Sequence, residues 1–243
     1  MDAPCYTLIP SRGDSRLLFL CDHASNRLPA RYGGLGLPPA LFATHIAHDI
    51  GAGKVAEALA NAYGAAAILG GVSRLLIDLN RGIGDPTLVM ALSDGIIIPG
   101  NRAADADEVA LRLARFHAPY HRAIKDELAR IGTGAILVSI HSFTPLWKNV
   151  PRPWEVGVLY GADQRLARPL MKHLRAHGFS LGDNEPYTGA LEGDTLDTHG
   201  TQTGHANVLI EIRQDFLADE GSAQRFAAKL KHILDRTLKD MET

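Results

Sequence analysis

Short apolar runs alternate with stretches of helical spacing along most of this chain. Leu17 to Cys21 is an apolar run that breaks at Asp22-His23-Ala24-Ser25-Asn26. Pro38 to Tyr63 reads as helical, in two pieces hinged at Gly51 and Gly53, and Val55, Ala58, Leu59 and Ala62 recur at helical spacing in the second piece. Ala65 to Leu69 and Leu75 to Leu79 read as buried strands, the latter interrupted only by Asp78. Asp85 to Gly100 reads as a loop with a hydrophobic insert. Asp105 to Ile131 is a long amphipathic helix with Val109, Leu113, Phe116, Ile124 and Leu128 on its apolar stripe, kinked or divided at Pro119. Ala135 to Ile140 is the cleanest central strand and ends at His141-Ser142. Glu155 to Tyr160 is another strand, Gln164 to His177 a helix, and the polar, Gly- and Thr-rich Leu181 to Gly204 a loop or set of edge strands. Val208 to Ile212, interrupted by Glu211, is the last core strand before a helix from about Gly221 to Leu238. This alternation predicts an α/β fold, a three-layer sandwich around a mainly parallel mixed sheet.

In such sheets ligands sit beyond the carboxyl ends of the strands. His23 follows the first apolar run, Asn80 and Arg81 the third, and His141 the central one. Two imidazoles at neighbouring strand ends make His23 and His141 candidate metal ligands, since zinc commonly takes three protein ligands and a water. Asp49 is a third candidate, supported by His45 one helical turn earlier; His48 is its rival, and the amide of Asn26 is a poorer donor. Arg74 and Arg81, with Asn80, form a candidate anion clamp, because a guanidinium fork fits a carboxylate bidentately. A carboxylate inside an apolar strand needs a partner or a task. Glu211 therefore reads either as a general base or as half of a structural pair with Arg213, two residues along on the same sheet face.

Composition narrows the classes. At 243 residues, 46% hydrophobic and 21% charged, the chain reads as one globular domain over 1–243. A formal charge of −2 gives no footprint for nucleic acid or an anionic membrane. No apolar run reaches the roughly 20 residues that span a bilayer. Two cysteines without CxxC spacing and a start lacking signal-peptide features point to the cytoplasm. Other motifs fail. Gly51-Ala52-Gly53-Lys54 lacks the first glycine and the Ser/Thr of a P-loop, no GxGxxG follows a strand, and Ser25 and Ser142 lack a nucleophile elbow. His117 and His121 have metal-pair spacing, but His-Ala-Pro-Tyr-His lacks the glutamate of HExxH and reads as structural.

With these residues in place, the chain resembles the N-formylglutamate amidohydrolase family from about Leu17 to Leu234. The resemblance rests on Asp22 to Asn26, His48-Asp49-Ile50-Gly51, Ser73-Arg74 through Asp78-Leu79-Asn80-Arg81, and Pro119-Tyr120-His121. It continues through Ile140-His141-Ser142-Phe143, Asn184 to Gly189 and Glu211-Ile212-Arg213. A more distant similarity runs to zinc carboxypeptidases and to the aspartoacylase and succinylglutamate desuccinylase group. These likenesses imply a phosphorylase/hydrolase-like, zinc-carboxypeptidase-like fold. They imply His23 and His141 on zinc, Asn80 and Arg81 on the substrate carboxylate, Arg74 on the oxyanion and Glu211 as base. Asn26 stands where the relatives carry a ligand glutamate, which leaves the third ligand open among Asp49, Asn26 and His48, with Asn26 otherwise a substrate contact.

The function expected is metal-dependent hydrolysis of a small-molecule N-acylated acidic amino acid: N-formyl-L-glutamate to formate and L-glutamate, within histidine degradation. Arg213 would read a side-chain carboxylate. The alternatives are a related deacylase or carboxypeptidase-like hydrolase of different substrate, and a non-catalytic protein that binds an acidic amino acid.

Overall fold

The structure is a computed structural model that describes residues 4–242. Its sheet contains seven strands: β1 (Tyr6–Ile9), β2 (Leu17–Cys21), β3 (Ala66–Gly70), β4 (Ile136–Phe143), β5 (Val156–Leu159), β6 (Leu181–Asp183) and β7 (Ala206–Arg213). They lie in the order β1-β3-β2-β4-β7-β5-β6. β3, β2, β4 and β7 are mutually parallel, β1 runs antiparallel at one edge, and the parallel pair β5 and β6 runs antiparallel to β7. The expected mixed, mainly parallel sheet is the one observed.

β2 shows why two helical layers are needed. All five of its residues are buried. Leu17, Phe19 and Cys21 enter one core with helices α1 (Ala52–Tyr63), α4 (Ala167–Ala176) and α5 (Glu220–Met241), while Leu18 and Leu20 enter the other. That second core is closed by α3 (Ala118–Ile131), through Tyr120, Ile124 and Leu128, and by the buried segment around Leu75–Leu79. Side chains alternate across a strand, so a strand apolar at every position is one covered on both faces. Among the described residues, no helix is long and apolar enough to cross a membrane.

Several boundaries differ from expectation for identifiable reasons. The hinge at Gly51 is real: it takes φ 78°, where a side chain would also run into Leu217, and α1 begins at the next residue. The division near Pro119 is also real but falls earlier. Helix α2 (Ala106–Arg112) passes without a break through a wide π turn, Leu113–His117, closed by the Ala118 N–H on the Leu113 carbonyl, into α3, so the change of helical winding falls just before Pro119, which has no N–H to donate. Leu75–Leu79 is not a strand. It is a fully buried run of turns whose backbone bonds with side chains instead of a ladder. Asn101 Nδ2 donates to the Leu75 carbonyl at 2.6 Å and Arg112 Nη1 to that of Leu76 at 2.9 Å. The hydrophobic insert is a small hairpin, Leu92–Ser93 against Ile96–Ile97. β1 is an edge strand exposed at its two central residues, so it carries no alternating burial pattern.

Candidate active site

From β2 the chain crosses through α1 to β3 on one side, while β4 lies on β2's other side, so a crevice opens at the carboxyl ends of β2 and β4. Asp22 and His23 leave the end of β2 there, His141 belongs to the last part of β4, and Glu211 lies beside it on β7 in register. Asp49 reaches in from the turn ahead of α1, its N–H donating to the His23 carbonyl at 3.0 Å. The buried loop carrying Ser73 to Arg81 closes the crevice with Arg74, Asp78, Asn80 and Arg81.

These side chains form one connected set of buried charges. Asp78 Oδ1 accepts from His23 Nε2 at 2.7 Å, which leaves His23 Nδ1 without a hydrogen-bond partner, 3.5 Å from Asp49 Oδ2. His141 lies between two carboxylates, with Nδ1 2.8 Å from Asp49 Oδ2 and Nε2 3.0 Å from Asp22 Oδ2. The two rings stand nearly perpendicular with centroids 5.0 Å apart. One donor atom each from His23, Asp49 and His141 can be chosen so that all lie within 4.8 Å of one another. Arg74 completes the set, donating to Asp78 Oδ2 at 2.9 Å with Nη1 3.6 Å from Asp49 Oδ1. Asp22 also accepts from Tyr120, Ser139 and Thr195 hydroxyls at 3.0, 3.2 and 2.6 Å.

The donor set fits a divalent cation. Each imidazole has a carboxylate behind one nitrogen, which fixes the ring and leaves the other nitrogen for the shared centre. With both rings neutral, Asp22, Asp49 and Asp78 bring three negative charges against the one positive charge of Arg74, a deficit of two. Without a cation, protonation offsets part of it: burial alone would lower His141, yet Asp22 and Asp49 push it well above the usual imidazole range. Burial would raise the three aspartates, but the histidines, and Arg74 at Asp78, hold them below the usual carboxylate range.

Glu211 is the exception. Its Oε2 has no hydrogen-bond partner, and burial, reinforced by Asp49 and opposed by His141 and Arg74, pushes its pKa up to about 7. The strand opposite supplies Gly157, where any Cβ would strike the Glu185 carbonyl and come within 3.2 Å of Glu211 Cβ.

A cleft of about 330 Å³ opens in front of the cluster, lined among others by His23, Arg74, Asn80, Arg81, His141 and Glu211. Asn80 Oδ1 accepts from the Thr195 N–H at 3.1 Å, and Arg81 donates to the Asn80 carbonyl at 2.8 Å and Thr87 Oγ1 at 3.1 Å. Among the described residues, neither Asn80 Nδ2 nor Arg81 Nη2 donates a hydrogen bond, and both residues line the cleft.

Other expected residues lie elsewhere. Asn26 donates to the Phe42 carbonyl at 2.8 Å and, with His48, borders a separate cavity of about 470 Å³. His45 faces Asp94 at 3.4 Å and does not buttress Asp49. Arg213 is held by Asp215 at 2.8 and 3.1 Å and by the Arg152 and Trp154 carbonyls, so it neither pairs with Glu211 nor lines the cleft. Its position at the strand's end, next to a loop acid, drew it away. His117 and His121 stack at 4.0 Å and bind the carbonyls of Arg81 and Leu79 at 2.9 and 3.0 Å, while His121 Nδ1 accepts from His199 Nε2 at 2.8 Å. Asp22 and Asp78 were given no role from the sequence, yet they hold the two imidazoles. Asp78 was visible as a charge within an apolar run, the same signal that marked Glu211.

Residues 15–218 match the model of the N-formylglutamate amidohydrolase family. The chain belongs to that family. It is an amide hydrolase on that ground. The gene product Atu2144 from Agrobacterium tumefaciens is 31% identical, with a TM-score of 0.93 over 100% of this chain and 97% of its own. The N-formylglutamate amidohydrolase from Ralstonia eutropha JMP134 is 21% identical, with a TM-score of 0.72 over 99% and 97%. A bacteriophage poly-gamma-glutamate hydrolase shares the fold at 11% identity, with a TM-score of 0.51 over 98% and 89%. No curated protein matches the sequence significantly.

Proposed function

We propose that this family member hydrolyses the amide bond of N-acylated acidic amino acids with a divalent metal ion, zinc before others, held by His23, Asp49 and His141. N-formyl-L-glutamate, giving formate and L-glutamate, is the substrate the family suggests. The observation that carries the reading is the unpartnered Nδ1 of His23, grouped with Asp49 and His141, with the unpartnered Oε2 of Glu211 on the neighbouring strand.

A metal in that position supplies Lewis acidity to the acyl carbonyl and to the attacking water. The protein's own groups do the rest. Arg81 Nη2 and Asn80 Nδ2 take the α-carboxylate through charge-assisted bonds and fix the substrate's orientation. Arg74 lines the cleft beside Glu211 and stabilises the charge that develops on the carbonyl oxygen. Glu211, buried beside the cluster with Oε2 free of any hydrogen bond, accepts the proton of water and delivers it to the departing amine. Asp78 and Asp22 hold the two imidazoles in place.

The test is formate release from N-formyl-L-glutamate by the zinc-loaded protein, after chelation, and after zinc is returned. Turnover that disappears with chelation and recovers with zinc is expected. Failure to hydrolyse any N-acyl amino acid with any of several divalent metals overturns the reading.

A further inference from the structure

The groups proposed for catalysis border two cavities. Arg74, Tyr187 and Glu211 line both the cleft that holds Asn80 and Arg81 and a second cavity of about 150 Å³. The second is lined by Asp49 from the imidazole cluster and by Ile46, Met90, Phe143 and Trp147. Its aromatic wall is fixed from behind. The Arg152 guanidinium lies 5.5, 5.3 and 5.1 Å from the ring centroids of Phe143, Trp147 and Tyr187, and Nη1 donates to the Tyr187 hydroxyl at 3.1 Å.

A formyl group carries only a hydrogen beyond its carbonyl and has no use for such a space. One water occupies roughly 30 Å³ in the liquid, so this cavity has room for a substituent of about five heavy atoms or more. Arg74 and Glu211 line both cavities, so a substrate whose α-carboxylate is taken by Asn80 and Arg81, as proposed above, has the second cavity on the far side of these two groups, open to its acyl substituent. Phe143, Trp147 and Tyr187, with Ile46 and Met90, give one side of the cavity a flat apolar surface, while Ser93, Asp94, Ser142 and Thr144 make the other side polar; the apolar side suits a planar ring.

We propose that this cavity is an acyl subsite for an aromatic carboxylic acyl group, so that N-aroyl derivatives of an acidic amino acid are hydrolysed more efficiently than the N-formyl derivative. The inference rests on the amide hydrolysis proposed above. Water adds across the C–N bond, giving the aryl carboxylate and the free amino acid, and no other reactant is needed.

The experiment compares kcat/KM for N-benzoyl-L-glutamate and N-formyl-L-glutamate in the zinc-loaded protein, in Trp147→Ala, which opens the wall, and in Ser93→Trp, which fills the cavity. The expected benzoyl-to-formyl ratio is about 10 or more in the unmodified protein, falling by about 10-fold in each variant. A second readout is independent of turnover. The chain has two tryptophans, so Trp154→Phe leaves Trp147 as the only indole, and its emission should respond to N-benzoyl-L-glutamate but not to N-formyl-L-glutamate. A ratio below one, or a ratio unchanged in both variants while N-formyl-L-glutamate is cleaved, overturns the subsite and leaves the hydrolase reading standing. If neither compound is cleaved, the hydrolase reading is decided by the wider panel of N-acyl amino acids and metals given above, and the Trp147 response alone decides the subsite, an absent response overturning it.

Discussion

Glu211 is buried with Oε2 unpartnered, and its carboxyl holds its proton up to about pH 7. Glu211→Gln keeps the shape and removes the proton exchange, so turnover should fall by about 10²–10⁴-fold with zinc still bound at full stoichiometry. Turnover within a few-fold of the unmodified protein would assign Glu211 a packing role. The same substitution has a stability consequence. A carboxyl whose folded pKa lies above its unfolded value destabilises the fold once pH exceeds the unfolded value, fully so above about 7. Metal-free Glu211→Gln should therefore melt about 2–6 °C higher than the unmodified protein at pH 8, and at the same temperature at pH 4. At this scale the sequence was partly legible. His23, His141 and Glu211 stand out because each ends or interrupts an apolar run. Asp78 stood out too, but its partner His23 lies 55 positions away, and only the folded loop shows that the two meet. Asp49, His48 and Asn26 could not be separated by spacing, because the turn before α1 decides which side chain faces β4.

The loop from Ser73 to Arg81 is the element that sequence reading described least well and the site depends on most. Its apolar run resembles a strand because burial, not pairing, selects the residues at Leu75 to Leu79. What keeps the run as turns is distant in sequence: Asn101 donates to the Leu75 and Met90 carbonyls at 2.6 and 2.9 Å and accepts from Arg112 at 2.6 Å. Asn101→Ala leaves two buried carbonyls and one guanidinium short of a partner. It should cost about 2–4 kcal/mol of stability in denaturant unfolding. Because Asn80 and Arg81 ride on this loop, KM should rise more than kcat falls. A substitution neutral in both measurements would show that the loop is held by its apolar contacts alone. Helices α1, α3 and α5 were legible at this scale because their stripes are long and periodic, and the edge strand β6 falls within the stretch read as a loop or edge strands; β1 was not legible.

At the scale of the whole molecule, the alternation of elements announced an α/β sandwich, but not the reversal of β5 and β6 or the antiparallel β1, since pairing direction leaves no trace in composition. The buried charge cluster gives the molecule a pH dependence with a definite sign. Asp22, Asp49 and Asp78 are depressed, so their contribution is present above the unfolded pKa of about 3.9 and is lost as pH falls through the folded values. His141 is raised, so its contribution is complete below the unfolded value of about 6.5 and is lost as pH rises through the folded one. The metal-free protein should be most stable in mild acid, and its melting temperature should fall between pH 5 and pH 8. Zinc needs neutral imidazoles and should reverse that trend, adding about 4 kcal/mol at pH 8 when free zinc is about 1,000 times its Kd. A melting temperature independent of zinc at pH 8 would mean that the cluster is a structural ion network.

The most direct measurement is metal content per chain, by elemental analysis after dialysis against limiting zinc, in the unmodified protein and in His141→Ala, with circular dichroism confirming that both are folded. The predicted result is one zinc per chain in the former and none retained in the latter. Zinc-free unmodified protein, or full occupancy in His141→Ala, would contradict a metal held by His23, Asp49 and His141.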